Sequence, residues 1–144
     1  MAKQLLSVTS ETRCWICAKS RKALGYHREQ LRTAETINQP EEIAQALVNL
    51  SISLLHVNMA ADAVARRDQA VTIYEQIGNR AALADLNERW SIACEAVGKP
   101  DEAIAHAESA IKILRRQRLP GIRALQHRVA RLRRTKAESE RSDR

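Results

Sequence analysis

The sequence predicts an all-α fold, a short solenoid of antiparallel helix pairs that ends in a C-terminal capping helix. The first observation behind this prediction is composition: alanine occurs 23 times in 144 residues, against 4 Gly, 3 Pro and no Phe. Alanine costs the least free energy in a helix interior, whereas strands favour aromatic and β-branched residues. A chain of this length can bury one sizeable core, and its composition favours helices throughout.

The second observation is an internal repeat with a constant offset of 40 in residue number. At this one offset, residues 49–52 align with residues 89–92, and residues 62–64 with residues 102–104. Repeats of about 20 to 50 residues are typical of solenoids, in which each unit covers the apolar face of its neighbour. The alignment divides the chain into an N-terminal extension and three units, which cover residues 1–9, 10–39, 40–79 and 80–119.

Each unit is predicted to contain two helices. In the middle unit Pro40 and the two glutamates after it suit a helix start, because proline has a preset φ and acids complement the helix dipole. Asn58 ends the first helix and Gly78 the second, and Gly98 is the matching turn of the last unit. Apolar residues at helical spacings of 4, 3 and 4 form the stripe of the first helix: Ile43, Leu47, Leu50 and Leu54.

Residues 86–114 resemble a tetratricopeptide repeat. Ser91 takes the small-residue position of the first helix, Gly98 the turn, and Ala103 and Ala110 the two helix-crossing positions. The usual period is about 34 residues, and the longer period found here is similar to that of kinesin light chains and of sensor regions in bacterial signalling ATPases. The preceding unit has a residue of the same kind at each of these positions: Ser51, Asn58, Ala63 and Ala70.

The resemblance covers about residues 10–119 and implies a binding module rather than an enzyme. In such repeats the first helix of each pair lines a concave face that binds a peptide or a partner protein. Asn49 falls on the family's ligand-clamping asparagine, and Arg89 takes that position in the next unit. A groove of mixed charge favours an extended peptide of some basic character. The predicted partner-binding residues are Gln45, Asn49, Ile52, His56, Asp85, Arg89, Ile92 and Glu95.

The third observation is a basic segment that begins near the end of the last repeat unit. Residues 112–144 carry 12 Lys and Arg against 3 acids, whereas residues 35–111 carry 5 against 12. Residues 120–137 have one apolar stripe and are predicted to form the capping helix, and residues 138–144 a flexible tail. The alternative function is nucleic-acid binding along this helix, and the charge pattern also allows self-association between copies. The predicted polyanion-binding residues are Arg123, Arg128, Arg131 and Arg134.

The pair Cys14 and Cys17 forms a C-x-x-C motif, for which three interpretations exist. Cys14 precedes Cys94 by two repeat periods, so both cysteines are expected to pack in the core as small apolar residues. A redox site needs the first cysteine at a helix N-terminus after a strand, and a zinc site needs four ligands at a set spacing. We expect packing, with redox chemistry and metal binding as the alternatives.

Other functional classes lack a sequence signal. The chain has no phosphate-binding glycine-rich loop, nucleophile elbow or metalloprotease motif, so we expect no enzymatic activity, no cofactor and no metal. No apolar run approaches the ~20 residues of a membrane span, and the N-terminus does not resemble a signal peptide. A cytoplasmic protein that does not bind membranes is the expectation.

Overall fold

The computed structural model describes the backbone of residues 2–143 and the side chains of residues 18–143. Within that part the chain forms six α-helices and no strand, which confirms the all-α prediction. The helices are α1 (Ala2–Ile37), α2 (Pro40–His56), α3 (Ala60–Ile77), α4 (Arg80–Ala96), α5 (Pro100–Gln117) and α6 (Ile122–Ser142).

The period of the sequence recurs in the helix boundaries. Adding 40 to the residue numbers that bound α2 and α3 gives the bounds of α4 and α5. The turns between successive helices show the same regularity. A residue of positive φ occurs in each of them, and these residues are spaced by half of the 40-residue offset. These left-handed residues are Asn38, Asn58, Gly78, Gly98 and Arg118.

The turns end the helices by a shared hydrogen-bond pattern. The amide of Met59 donates to the Leu54 carbonyl at 2.9 Å, and the amide of Lys99 donates to the Cys94 carbonyl at 2.8 Å. This bond to the fifth preceding residue satisfies a carbonyl at the helix end and requires one left-handed residue. Glycine and asparagine adopt that conformation most readily, so Arg118, with φ 55°, is the costly member of the series.

The chain divides into two compact units, residues 1–77 and residues 78–144. In the first unit α1 packs against α2, and α2 packs against α3. The α2–α3 pair is built around small residues, since Ala44, Ser51, Ala63 and Ala70 have no exposed surface. Small side chains at these positions allow two helix backbones to approach closely.

The helix α1 is continuous over residues for which the sequence predicts an extension and a separate two-helix unit. The regular series of turns would place its next member towards the N-terminus at residue 18, where the sequence has Ala18. Alanine favours the helix and not the left-handed conformation. The chain therefore continues as one helix of 36 residues.

In the second unit α4 packs against α5, and α5 packs against α6. Trp90 of α4 is 2% exposed and meets the His106 ring edge-on, with centroids 6.2 Å apart. The predicted apolar stripe of α6 is buried at Leu125, Val129 and Leu132, and the first two belong to a core cluster shared with α5. The helix α6 continues past its predicted end at residue 137 to Ser142, since no glycine or proline interrupts it.

Of the three cysteine side chains, the structure describes that of Cys94. Cys94 is a buried thiol whose Sγ lies 4.0 Å from Glu102 Oε2, as predicted for a packing residue of α4. Cys14 and Cys17 fall within α1, so in the described backbone from residue 2 onward a helix, not a strand, leads into them. Their side chains lie outside the described residues, and the packing of the C-x-x-C motif stays a prediction.

Candidate interaction surfaces

The predicted binding residues of the first unit lie on one face of α2. Gln45, Asn49, Ile52 and His56 are separated by 4, 3 and 4 positions, so their side chains follow one line along the helix. Gln45 is exposed, and the other three are half-buried. Burial lowers the pKa of His56 and so favours the neutral imidazole.

A chain of amides links α2 to α1 in the first unit. Asn49 Nδ2 donates to Gln30 Oε1 at 3.3 Å, and Gln45 Nε2 donates to Asn49 Oδ1 at 3.4 Å. The ring Nδ1 of His27 lies 3.4 Å from the same Gln30 oxygen. The side chain of Asn49 is therefore held in place by α1 rather than extended freely into solvent.

A shallow cavity of about 310 Å³ lies beside this amide chain, between α1 and α2. Two large apolar residues at its edge are open to solvent, since Tyr26 is 70% exposed and Ile37 is 56% exposed. The repeat pattern does not reveal this cavity, because it assigns ligand binding to the first helix of each pair. The lining residues are Tyr26, Glu29, Gln30, Thr33, Ala34, Ile37 and Glu42, which we call the α1–α2 surface together with Gln45 and Asn49.

The predicted binding residues of the second unit do not share one environment. Asp85 and Ile92 are exposed on α4, and Arg89 is half-buried. Glu95 differs, because its position corresponds to Leu55, a buried residue of the first unit. Glu95 instead contacts α6, so the α4 residues form two separate groups.

Glu95 forms an ion triad with two arginines of α6. Arg128 Nη2 donates to Glu95 Oε1 at 2.7 Å, and the Arg131 guanidinium donates to both carboxylate oxygens, at 2.9 and 3.1 Å. Hydrogen bonding from Arg131 lowers the pKa of Glu95, and the charges of both arginines add to this effect while partial burial opposes it. The same contact raises the pKa of Arg131. The triad ties α6 to α4.

The triad joins residues that the sequence assigns to two different sites. Peptide binding is predicted for Glu95, whereas polyanion binding is predicted for Arg128 and Arg131. Further along α6, Arg133 pairs with Glu108 and Lys136 with Asp101. Of the four predicted polyanion-binding residues, two are exposed and form no ion pair with any residue between 18 and 143. These two are Arg123 and Arg134. Two of the four predicted polyanion-binding residues thus contact a carboxylate, which balances one of their two positive charges.

Unpaired positive charge collects instead at another place in the second unit. A depression of about 510 Å³ is lined by Arg80 at the start of α4 and by Lys112, Arg115 and Arg116 near the end of α5. Ile113 and Gln117 complete the lining, and no described acidic residue belongs to it. We call the concavity lined by these four cationic residues the basic depression. The sequence pattern groups Arg115 and Arg116 with the basic segment, but Arg80 joins them only in the folded chain.

Neither a metal site nor a membrane span is evident in the part of the chain that the structure describes. No three His, Cys, Asp or Glu residues cluster there in a way that would hold a metal ion. None of the described helices is both long and apolar enough to cross a bilayer. Comparison of the chain with protein-family models, with curated proteins and with solved structures finds no match.

Proposed function

We propose that this protein is a protein-interaction module of the tetratricopeptide kind, which binds a peptide or partner protein and performs no catalysis. Its repeated helix pairs would form the scaffold, and the α1–α2 surface of the first unit would form the binding site. The observation that carries the proposal is the amide chain from Gln45 through Asn49 to Gln30, beside the exposed Tyr26 and Ile37.

The chemistry of this surface suits an extended peptide. A carboxamide carries both a donor and an acceptor, as does each peptide unit of a ligand backbone. Asn49 is already oriented by Gln30, so its ordering on binding costs little further entropy. Tyr26 offers a large apolar area at a low entropic cost, and Glu42 supplies negative charge at the same cavity. An extended segment with apolar and basic residues is the ligand that fits.

The alternative function, nucleic-acid binding along α6, receives less support. Arg128 and Arg131 already share the carboxylate of Glu95, and Arg133 and Lys136 have acidic partners. A phosphate would have to replace these contacts, and only Arg123 and Arg134 of the predicted polyanion-binding residues form no ion pair with a described residue. We therefore favour peptide binding over nucleic-acid binding.

A peptide-display selection on the immobilised full chain tests the proposal. Enriched peptides are synthesised with a fluorophore, and their affinity is measured by anisotropy for the wild type and for Tyr26→Ala with Asn49→Ala. The residues of an interface contribute unequally to the binding free energy, and a few central residues, often aromatic, contribute most of it. We expect the double variant to weaken binding at least about tenfold, a change of about 1.4 kcal/mol.

A matched control separates binding from folding. Tyr26→Ala with Asn49→Ala is compared with Gln76→Ala with Gln126→Ala, a change at two exposed polar residues on α3 and α6, and all variants are checked by circular dichroism. The control variant is expected to bind within twofold of the wild type. Enrichment of peptides that bind both variants as tightly as the wild type would contradict the proposed site.

A further inference from the structure

The basic depression places like charges together without compensation. Arg80, Lys112, Arg115 and Arg116 line one concavity, and none of them forms an ion pair or hydrogen bond with a side chain in the described range 18–143. Like charges that share one concavity raise the free energy of the folded state, although solvent and salt screen the repulsion. Such an arrangement is stabilised when an anion occupies it.

Two of the four cationic residues have positions that stabilise their helix. Arg115 and Arg116 lie in the last turn of α5, where a positive charge complements the negative end of the helix dipole. Arg80 is the first residue of α4, and a cation at that position opposes the positive end of the dipole. Lys112 lies one turn before the end of α5 and is exposed. Arg80 and Lys112 therefore have no evident role in the stability of their helices.

Comparison with the α2–α3 pair shows that the fold does not require these cations. The equivalent positions of that pair, found by subtracting 40 from each residue number, carry no positive charge. They are occupied by Pro40, Thr72, Glu75 and Gln76. Pro40 is favourable in the first turn of α2, the position that Arg80 takes in α4. The first turns of α2, α3 and α5 also contain acidic residues, whereas the first turn of α4 contains none. The same helix pair thus forms with four cations or with one acid at these positions.

We propose that the basic depression binds a compact, multiply charged phosphate group, such as a diphosphate or triphosphate chain. Guanidinium groups recognise phosphate oxygens through paired hydrogen bonds, and lysine adds a point charge. An open concavity of about 510 Å³ has room for a short phosphate chain among the four cations. No described aromatic residue lines it for base stacking, so recognition rests on phosphate alone. This site shares no residue with the proposed peptide-binding surface.

Titration calorimetry of the full chain with sodium tripolyphosphate tests the site. The wild type is compared with Arg80→Gln plus Lys112→Gln, since these two substitutions leave the dipole-complementing arginines of α5 in place. The control is Arg123→Gln plus Arg134→Gln, which removes the same formal charge from α6. We expect the first variant to lose at least about tenfold in affinity and the control to change less than about twofold.

The outcomes separate a built site from diffuse attraction. Equal loss of affinity in the two double variants would overturn the proposal, because total charge alone would then determine binding. Absence of binding by the wild type at millimolar tripolyphosphate would also overturn it. A parallel titration with duplex DNA provides a third outcome: DNA binding that is stronger than tripolyphosphate binding and lost in the α6 variant would assign the anion site to α6.

Thermal denaturation without ligand adds a readout that a structural role would change. The ligand-free melting temperature of Arg80→Gln plus Lys112→Gln is expected to equal or exceed that of the wild type, since the substitutions relieve repulsion. Tripolyphosphate should raise the melting temperature of the wild type and of the control but not of this variant. A lower ligand-free melting temperature would assign the two cations to folding and contradict the site.

Discussion

The α2–α3 pair and the α4–α5 pair have equivalent helix boundaries but differ in what they present to solvent. Both cores contain a fully buried serine and two fully buried alanines at matching positions: Ser51, Ala63 and Ala70 in one pair, and Ser91, Ala103 and Ala110 in the other. At the end of the second helix, one pair carries Glu75 and the other Arg115. Small buried residues thus specify the helix pair, and the surface is left to vary.

The two serines show how equivalent residues acquire different contacts. Ser51 Oγ donates to the Val48 carbonyl of its own helix at 2.7 Å, whereas Ser91 Oγ donates across to the Ala103 carbonyl of α5 at 2.6 Å. Arg128 Nε then lies 3.5 Å from the Ser91 hydroxyl. The second unit therefore adds polar contacts between helices at this position, and substitutions can test how much these differences contribute.

The largest expected effect concerns the core residue that differs most between the pairs, Leu50 in α2 and Trp90 in α4. Truncation of Trp90 to alanine removes a nearly buried ring and leaves a cavity, which costs about 3–5 kcal/mol. Urea denaturation followed by circular dichroism should show this loss in the free energy of unfolding. Ile92→Ala, at a residue of the same helix that is 49% exposed, is the control and should change it by less than about 0.5 kcal/mol.

The second prediction concerns Glu95, whose counterpart in the first unit is the buried Leu55. Glu95→Ala leaves the Arg128 side chain, only 17% exposed, without its carboxylate. We expect a loss of about 1–3 kcal/mol in the free energy of unfolding at pH 7, measured by urea denaturation. Glu138→Ala, at an exposed position of α6, should be nearly neutral.

The pH dependence of this contact has a defined sign. Because the folded state lowers the pKa of Glu95, its contribution is complete above the ordinary pKa of the group and is lost as the pH falls through the lowered value. The stability difference between the wild type and Glu95→Gln should therefore shrink as the pH is lowered from 5 to 3. A difference that stays constant over that range would show that the ionised carboxylate does not stabilise the fold.

The smallest predicted effect concerns the turns. Arg118 adopts φ 55° at the position where the preceding pair has Gly78, with φ 72°. Arg118→Gly should raise the free energy of unfolding by about 0.5–1 kcal/mol, and Gly78→Ala should lower it by about 1 kcal/mol. A new Cβ at Gly78 would meet no atom within 4 Å, so backbone conformation alone accounts for the loss. Thermal melts that show both changes in the same direction would refute this explanation of the turns.

Much of the helical architecture can be predicted from the sequence. Proline, glycine and asparagine at Pro40, Asn58, Gly78 and Gly98 mark real helix ends, since these residues act through local conformation. The end of α5 is harder to predict, because Arg118 has no intrinsic preference for the left-handed conformation and is held there by the turn. The continuity of α1 is also hard to predict. It follows from the absence of a turn-forming residue at Ala18, and the absence of such a residue is weaker evidence than its presence.

The candidate sites are less predictable because they depend on contacts between helices. Periodicity places Glu95 near the polar face of α4, but only the position of α6 reveals that Arg128 and Arg131 neutralise it. The hydrogen bond from Asn49 to Gln30 likewise joins residues on two helices. Tertiary structure alone brings Arg80 to three cations of α5. No spacing rule within a single helix brings these residues together.

The measurement that tests the central claim most directly is a map of backbone amide chemical shifts for the full chain with and without a saturating selected peptide. We predict shifts concentrated between Tyr26 and Asn49, with the basic depression unchanged. Tripolyphosphate should shift the amides around Arg80 and Lys112 and leave the α1–α2 surface unchanged. Peptide-induced shifts confined to the second unit would contradict the assignment of protein binding to the α1–α2 surface.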